Sequence, residues 1–595
     1  MPLPSRRRLR TLVAAAVAVS GLAALVPTAT ADSATYTVTV GAKGRWSHPD
    51  DTPAGTYIDK DGTFYFQSSH ALYGATDPRK WNFYSGADLD TASLNKSLGK
   101  SADPSDPTDR NDDTTARCNN SPTGRESSFA PAGSSYAQKN YCDLAGVWVD
   151  PDTGDWYGLV HNEFTPQPFG DSSHFDGIDY AVSKDQGRTW TIKDHVITSP
   201  YSTVRGDTSA FPQQTYHYGD GDPRLFTDTA SGYFYVFYGS RIVDKNGGWR
   251  VFHGHVARAP ISAKMAPGSW QKWYDGSWSQ PGDGGLESNM VPVDAAHPTG
   301  YTPAAQEYDP ATPGTANQQV AAGAMPPTSP LFVMDITYNA HLGLYIGEPQ
   351  GVDQSGNAPQ QIYATDDLST QKWRLLGDTG GYTTASWYRW FLDSANKTST
   401  RIVGRDFRAY CSYGCSNDSY SEYVNLRIDT DRPAAPVDEG AGYRIAGANG
   451  RVLAQVSGGS AATSVPAGSG GDRASWTFTA NGDGSYRITN DASRNLLGVD
   501  SRSTAGRAWG AAPSVTAAKQ GVPSVGQQWF VLRNTTADGT STGTYRLVNR
   551  YSGLVLGLSA ATARAAETTP PRYWDASGGT GGTRTPGEQT LTLSR

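Results

Sequence analysis

Three acids in the first 430 residues of this 595-residue chain stand where a turn hands over to an apolar strand. Asp51 lies in Asp50-Asp51-Thr52-Pro53, Asp222 in Gly221-Asp222-Pro223-Arg224-Leu225-Phe226, and Glu287 in Leu286-Glu287-Ser288-Asn289-Met290-Val291-Pro292. Such a trio suits cleavage of the acetal link between sugars: one carboxylic acid protonates the leaving oxygen, one carboxylate acts as base or nucleophile, and a third tunes the other two and grips the substrate. Glu163, in Val160-His161-Asn162-Glu163, and Glu348, in Ile346-Gly347-Glu348-Pro349, are further strand-end acids. Either replaces Glu287 if the phasing differs by one strand. An Asp beside Gly or Pro is also a turn former in its own right, so the chemical reading rests on the three acids falling on separate copies of one repeating unit.

That unit is a strand ending in Asp, a turn with Gly, and then an aromatic strand. Asp51 leads to Asp61-Gly62-Thr63-Phe64-Tyr65-Phe66, and Val147-Trp148-Val149-Asp150 leads to Asp155-Trp156-Tyr157-Gly158. The later copies run from Asp222 to Tyr233-Phe234-Tyr235-Val236, from Asp335-Ile336-Thr337-Tyr338 to Gly343-Leu344-Tyr345-Ile346, and from Trp387-Tyr388-Arg389-Trp390 to Arg401-Ile402-Val403. Five copies, with no helix-period stretch among them, predict an all-β domain over residues 32–430: a five-bladed β-propeller, whose blades bury their faces on one another. Carboxylates at the starts of its inner strands converge on one end of the central channel. Composition agrees, with Gly 66, Pro 37, Tyr 32 and Trp 16 but only 18% charged residues. Ser101 to Gln138, rich in Ser, Asp, Asn and Pro, reads as a long loop.

Residues 1–31 read as a signal peptide: Arg6, Arg7, Arg8 and Arg10 precede an apolar run from Leu12 to Val26 and then Ala29-Thr30-Ala31. The predicted mature N-terminus is Asp32, and the arginine-rich start leaves both the general and the twin-arginine export routes open. The apolar run is shorter than the roughly 18 to 20 residues a membrane span needs, and none like it follows, so the expected product is a secreted, extracellular monomer without a membrane span. The whole chain carries −7, and removing four arginines and no acids takes the mature protein to −11, which disfavours nucleic acid as a partner. The four cysteines pair locally, Cys118 with Cys142 and Cys411 with Cys415, as disulfides in an oxidising exterior. Zinc is the weaker alternative for cysteines so widely split.

Asp429-Thr430-Asp431-Arg432-Pro433-Ala434-Ala435-Pro436 reads as a linker, taken as residues 431–440. Beyond it, over residues 441–595, a hairpin signature recurs three times: Tyr443-Arg444-Ile445, Tyr486-Arg487-Ile488 and Tyr545-Arg546-Leu547, each followed by a second apolar strand. With Gln527-Gln528-Trp529 and a partial Ser475-Trp476-Thr477-Phe478, this region resembles the ricin-type β-trefoil lectins, whose repeats close on Gln-x-Trp. The resemblance implies a β-trefoil that holds the protein on carbohydrate. Sugar binding in that family uses an Asp after the second strand and an aromatic platform beyond it. The middle repeat keeps both, as Asp500 and Trp509, while the third has Trp574 without the Asp.

The acids of the first region resemble those of the five-bladed propeller glycoside hydrolases of family 43, and more remotely the families 32, 62 and 117. That resemblance implies Asp51 as general base, Asp222 as the group that modulates pKa, and Glu287 as general acid, with Asp50 a rival to Asp51. It implies hydrolysis of arabinan, arabinoxylan or galactan, with inversion. The alternatives are a non-catalytic carbohydrate-binding or adhesion protein, a retaining fructan hydrolase, or a sialidase. The last would use Arg205, Arg224, Arg241 and Arg258 on a substrate carboxylate, and the stretch Ser183-Lys184-Asp185-Gln186-Gly187-Arg188-Thr189-Trp190 is an Asp-box of the sialidase kind. A single intact box reads instead as a structural turn. Trp273, Trp278, Trp387 and Trp390 are candidates for stacking on sugar, and His161, His174, His253 and His255 read as structural. No cofactor is called for. A structural calcium or other ion in the channel is left open, and no ligand-spacing motif argues for it.

Overall fold

The computed structural model describes residues 34–595 except Asp50, Pro53, residues 72–78, Glu126, residues 131–137, residues 166–173, Arg205, residues 352–356, residues 577–581 and the side chains of His70 and Ala71. The signal peptide, Asp32, the rival base Asp50 and Arg205 therefore lie outside the described residues. No described helix is long and apolar enough to cross a membrane.

Residues 36–430 form a five-bladed β-propeller. The inner strands are Gly55–Ile58, Asn140–Val149, Thr215–Asp228, Asp335–Asn339 and Trp390–Asp393, one for each of blades 1 to 5. Each begins an antiparallel meander. The ring closes by an exchange of ends, because the N-terminal strand Tyr36–Arg45 pairs with Glu422–Thr430 as the outermost strand of blade 5. Such closure ties the first and last segments of the ring into one blade and leaves only the short outer edges that a propeller keeps.

The aromatic residues supply the packing between blades. Phe83, Trp156 and Trp190 fill the gap between blades 1 and 2, Trp148, Phe234 and Trp270 that between blades 2 and 3, and Phe237, Ile336 and Trp373 that between blades 3 and 4. Ile346, Phe391 and Phe407 join blades 4 and 5, and Phe66, Trp390 and Tyr410 join blade 5 back to blade 1. A blade strand buried on both faces reads as an aromatic or apolar run with turn residues between, which is why the repeat was visible in the sequence.

The Asp-box is the outer turn of blade 2, between Phe175–Ser183 and Thr191–Ile197. Asp185 accepts from the Ser183 hydroxyl at 2.8 Å and from the Thr189 amide at 2.9 Å, while Trp190 is buried between the blades. Within the segment read as a long loop, the described residues form a small hairpin, Ala102–Asp103 with Asp106–Arg110, and the short helix Thr115–Asn119, all outside the blades. Disulfides join Cys118 to Cys142 and Cys411 to Cys415.

After the last propeller strand ends at Thr430, the chain enters a β-trefoil of 12 strands at Gly442. It closes by pairing Gly442–Gly447 with Leu591–Ser594. Trp476 donates to the Leu453 carbonyl at 3.0 Å and Trp529 to the Leu497 carbonyl at 2.9 Å, the same bond in successive repeats. In the third repeat Leu591 contributes to the core instead.

Candidate active site

The five inner strands run in the same sense, so the loops before them meet on one face of the ring. The second strand of each blade runs back and ends on that face. On it lies a cavity of about 600 Å³ lined by Asp51, Glu163 and Asp222. Asp51 comes from the loop before the inner strand of blade 1, Glu163 from the end of Trp156–Phe164 in blade 2, and Asp222 from the inner strand of blade 3. Trp249, Trp387, Tyr388, Tyr413 and Tyr420 supply aromatic walls. Trp249 is 44% and Tyr420 59% exposed, an unusual display for large rings.

Asp222 is held by its surroundings. It sits at an irregularity of the strand register between Gly221 and Arg224, with a left-handed φ of 54° that Asp tolerates better than most residues. Gly221 makes the close approach: a Cβ there would lie 2.6 Å from both the Asp176 carboxylate and the His161 ring. Arg241 bonds Asp222 at 2.5 Å and Asp176 at 3.1 Å, and His161 lies 3.4 Å from Asp176 and 3.5 Å from Asp222. Two acids and two bases thus close a buried ring. Burial pushes Asp222 up, but Arg241, His161 and Arg224 outweigh it and hold the carboxyl below its usual value. Burial likewise opposes the charge on His161, and Asp176 and Asp222 overcome it, pushing the imidazole up to about 10.

Tyr388, also left-handed at φ 53°, donates to Asp222 at 3.3 Å. Burial raises its phenol well above the usual range, and Asp222, Asp51 and Glu163 add to the shift. The three cavity carboxylates therefore all act on one phenol. Glu163 is only part-buried and lies 3.3 Å from His174, which contacts the Tyr218 hydroxyl at 3.3 Å.

Glu287, expected as the general acid at the start of blade 4, lies elsewhere. It lies not at the start of blade 4 but in the connection that follows the outer hairpin of blade 3, ending at Pro281. There it accepts from Lys272 at 2.7 Å and from the Tyr238 hydroxyl at 2.7 Å. Burial would raise its pKa, but His255 and Lys272 prevail and hold it well below the usual carboxylate range. Glu287 is not among the residues lining the 600 Å³ cavity. His217 and Asp220 complete a group of three donor residues within 4.8 Å. The fully buried Lys272 ammonium, 3.0 Å from Asp220, already supplies a cation to that group.

Glu348 is also outside the cavity lining. Burial pushes it up to about 8 against the pull of Arg389. Trp273 and Trp390 are buried packing residues, and Trp278 packs over Arg258. Trp387 does reach the cavity. Arg258 donates to the Ala537 carbonyl at 2.7 Å and Arg224 to Gln350 at 3.4 Å, so neither joins Arg241 at the cavity.

The trefoil pair is split. Asp500 is exposed and bonds Arg502 at 2.8 Å, whereas Trp509 packs against the cluster between blades 1 and 2. Trp509 is therefore an interdomain contact and not an open sugar platform. Sequence reasoning also missed Trp249, Tyr413 and Tyr420 as cavity walls. Their only sequence signal is aromatic residues amid glycines and polar residues outside the repeating unit.

Residues 434–515 match the model of the ricin-type beta-trefoil lectin domain-like family. No curated protein sequence matches the chain. Among solved structures, a GH43 β-1,3-galactosidase is similar at 12% identity and a TM-score of 0.29, covering 93% of this chain and 94% of that one. An exo-β-1,3-galactanase from Clostridium thermocellum is similar at 14% identity and a TM-score of 0.20, covering 80% of this chain and 98% of its own. The designed three-fold symmetric protein ThreeFoil is similar at 23% identity and a TM-score of 0.20, over 26% of this chain and 98% of that one. At these scores the likenesses add nothing to the architecture, which rests on the strand pairings and cores above.

Proposed function

We propose that the protein is a secreted glycoside hydrolase that cleaves a pentose- or furanose-containing polysaccharide of the arabinan, arabinoxylan or galactan type. The supporting observation is the convergence of Asp51, Glu163 and Asp222, from three different blades, on one aromatic-walled cavity. In this reading Asp51 is the general base. It takes a proton from water as the water oxygen attacks the anomeric carbon. Glu163, in the role first expected of Glu287, gives its proton to the leaving oxygen as the glycosidic bond breaks. Asp222 stays ionised in its ring with Arg241, His161 and Asp176 and accepts from the Tyr388 hydroxyl at the cavity wall. The two reacting groups end the cycle with their protons exchanged and are reset by solvent, and the product is inverted.

The test is release of reducing ends across a polysaccharide panel by the wild type, Glu163→Gln and Glu287→Gln. Glu163→Gln is expected to lose at least 100-fold on natural polymer, the scale of general acid catalysis, and to retain more on activated aryl glycosides, which need no protonation. Glu287→Gln, if folded, is expected to turn over. Wild-type turnover of polymer by Glu163→Gln removes the assignment, and no release by the wild type from any member of the panel removes the proposed activity.

A further inference from the structure

Each inner strand begins at the cavity face and ends in a turn on the opposite face, and on that face the trefoil touches every blade. On blade 1 the Trp509 amide donates to the Lys60 carbonyl at 3.0 Å, and Arg507 donates to the Gly62 and Ala87 carbonyls at 2.5 and 2.7 Å. On blade 2 Arg572 bonds Asp152 and the Pro151 carbonyl, both at 2.7 Å, and the Trp574 indole donates to Asp152 at 2.8 Å. On blade 3 the Tyr573 hydroxyl donates to the Thr229 carbonyl at 2.9 Å and the Thr535 amide to the Ala230 carbonyl at 3.2 Å. On blade 4 Ala340 packs with Phe530, Leu532 and Val548 in one apolar cluster. On blade 5 Arg550 grips Asp393 at 2.7 and 3.1 Å and also pairs with Asp483 of the trefoil.

Arg507, Arg550 and Arg572 are all buried, so these are desolvated, multiply bonded contacts and not a loose surface association. The exit of the propeller channel is covered as well. A channel cavity of about 40 Å³ and the interdomain space are both lined by Thr56, Thr227, Thr400 and Arg401. That space, of about 100 Å³, is walled on the trefoil side by Trp509, Arg550 and Tyr573. Both aromatic groups that could have formed sugar platforms, Trp509 and Trp574, pack on the propeller.

We infer that the trefoil is a clamp: it binds the channel-exit ends of all five blades of its own chain, locks the ring shut, and gives up the platforms of its second and third repeats to do so. The clamp makes propeller and trefoil one cooperative unit, unlike the mobile pair that a smaller interdomain contact allows. It is independent of which glycan the cavity takes.

Calorimetry of the full chain tests this. The wild type is expected to unfold in one transition. Arg550→Leu, which leaves the buried Asp393 without its partner, is expected to lower that one midpoint by roughly 3 °C. A protease site placed between Arg432 and Pro433 and cut after folding is expected to leave the halves together in gel filtration. Trp509→Ala is expected to lower the midpoint and leave retention on insoluble polysaccharide as in the wild type. Two separate transitions, release of the trefoil on cutting, or a Trp509→Ala variant that loses retention at an unchanged midpoint would each overturn the clamp.

Discussion

Replacing His161 by Gln offers a direct measurement of the charge held beside the cavity. The imidazole is buried between Asp176 and Asp222 and pushed up to about 10 from 6.5. A histidine raised in this way adds stability that is fully present below the unfolded value of 6.5 and is lost as pH climbs through about 10. The difference corresponds to roughly 5 kcal/mol in total, at about 1.4 kcal/mol per pH unit inside that window. Between pH 7 and 9 the wild type should therefore lose about 2.7 kcal/mol relative to His161→Gln, or about 2 °C in the midpoint of a single large cooperative unit. Glu307 and Glu348, which burial pushes up to about 8, titrate in the same range. They are present in both proteins, so the quantity to read is the difference between the two calorimetric midpoints at each pH. That difference should shrink steadily toward alkaline pH. Parallel curves from pH 7 to 9 would mean that His161 is neutral in the fold and that Asp222 is held by Arg241 and Arg224 without it.

Lys272 is fully buried between Asp220 and Glu287, so Lys272→Met should destabilise by about 3–5 kcal/mol in chemical denaturation. Combining it with Glu287→Gln should cost less than the two changes summed, and strict additivity would show that the three groups do not act together. Opening the bond between Cys118 and Cys142, 24 residues apart, should cost about 3 kcal/mol in the chain-entropy view, read as a lower denaturation midpoint for Cys118→Ser with Cys142→Ser. An unchanged midpoint would mean that the surrounding packing already fixes that loop.

The architecture was legible because both folds write their repeats in residue types that a strand must bury or a turn must expose. Asp61-Gly62 and Asp155-Trp156 mark inner hairpins, and Trp476 and Trp529 mark successive trefoil repeats. The site was only partly legible. Glu163 and Glu287 look alike in sequence, each an acid next to an apolar run. What separates them is strand direction: Glu163 ends a second strand, which returns to the cavity face, whereas Glu287 sits in a connection that brings it against Lys272. Trp509 occupies the position of a sugar platform, but a single repeat cannot reveal which face of the trefoil meets the propeller.

The two buried acid clusters beside the channel differ in a way that charge counting explains. Around Asp222, two acids face Arg241 and His161, so the ring is neutral when all four are charged, and Asp222 still reaches the cavity. Around Glu287, two acids share one lysine. Burial, then Glu287, drives Asp220 well above the usual carboxylate range, while Glu287 is held well below it. Both carboxylates reach the one ammonium, Asp220 at 3.0 Å and Glu287 at 2.7 Å, and the opposite directions of their shifts favour Glu287 as the charged partner. To serve as a general acid Glu287 would first have to hold a proton, and in that neutral state it would leave the buried Lys272 ammonium without the carboxylate it pairs with at 2.7 Å. Glu163 is part-buried, borders the same cavity as Asp51 and Asp222, and lies 3.3 Å from His174. The proposed assignment of the acid to Glu163 therefore rests on position: Glu163 borders the cavity with Asp51 and Asp222, and Glu287 is not among the residues that line it.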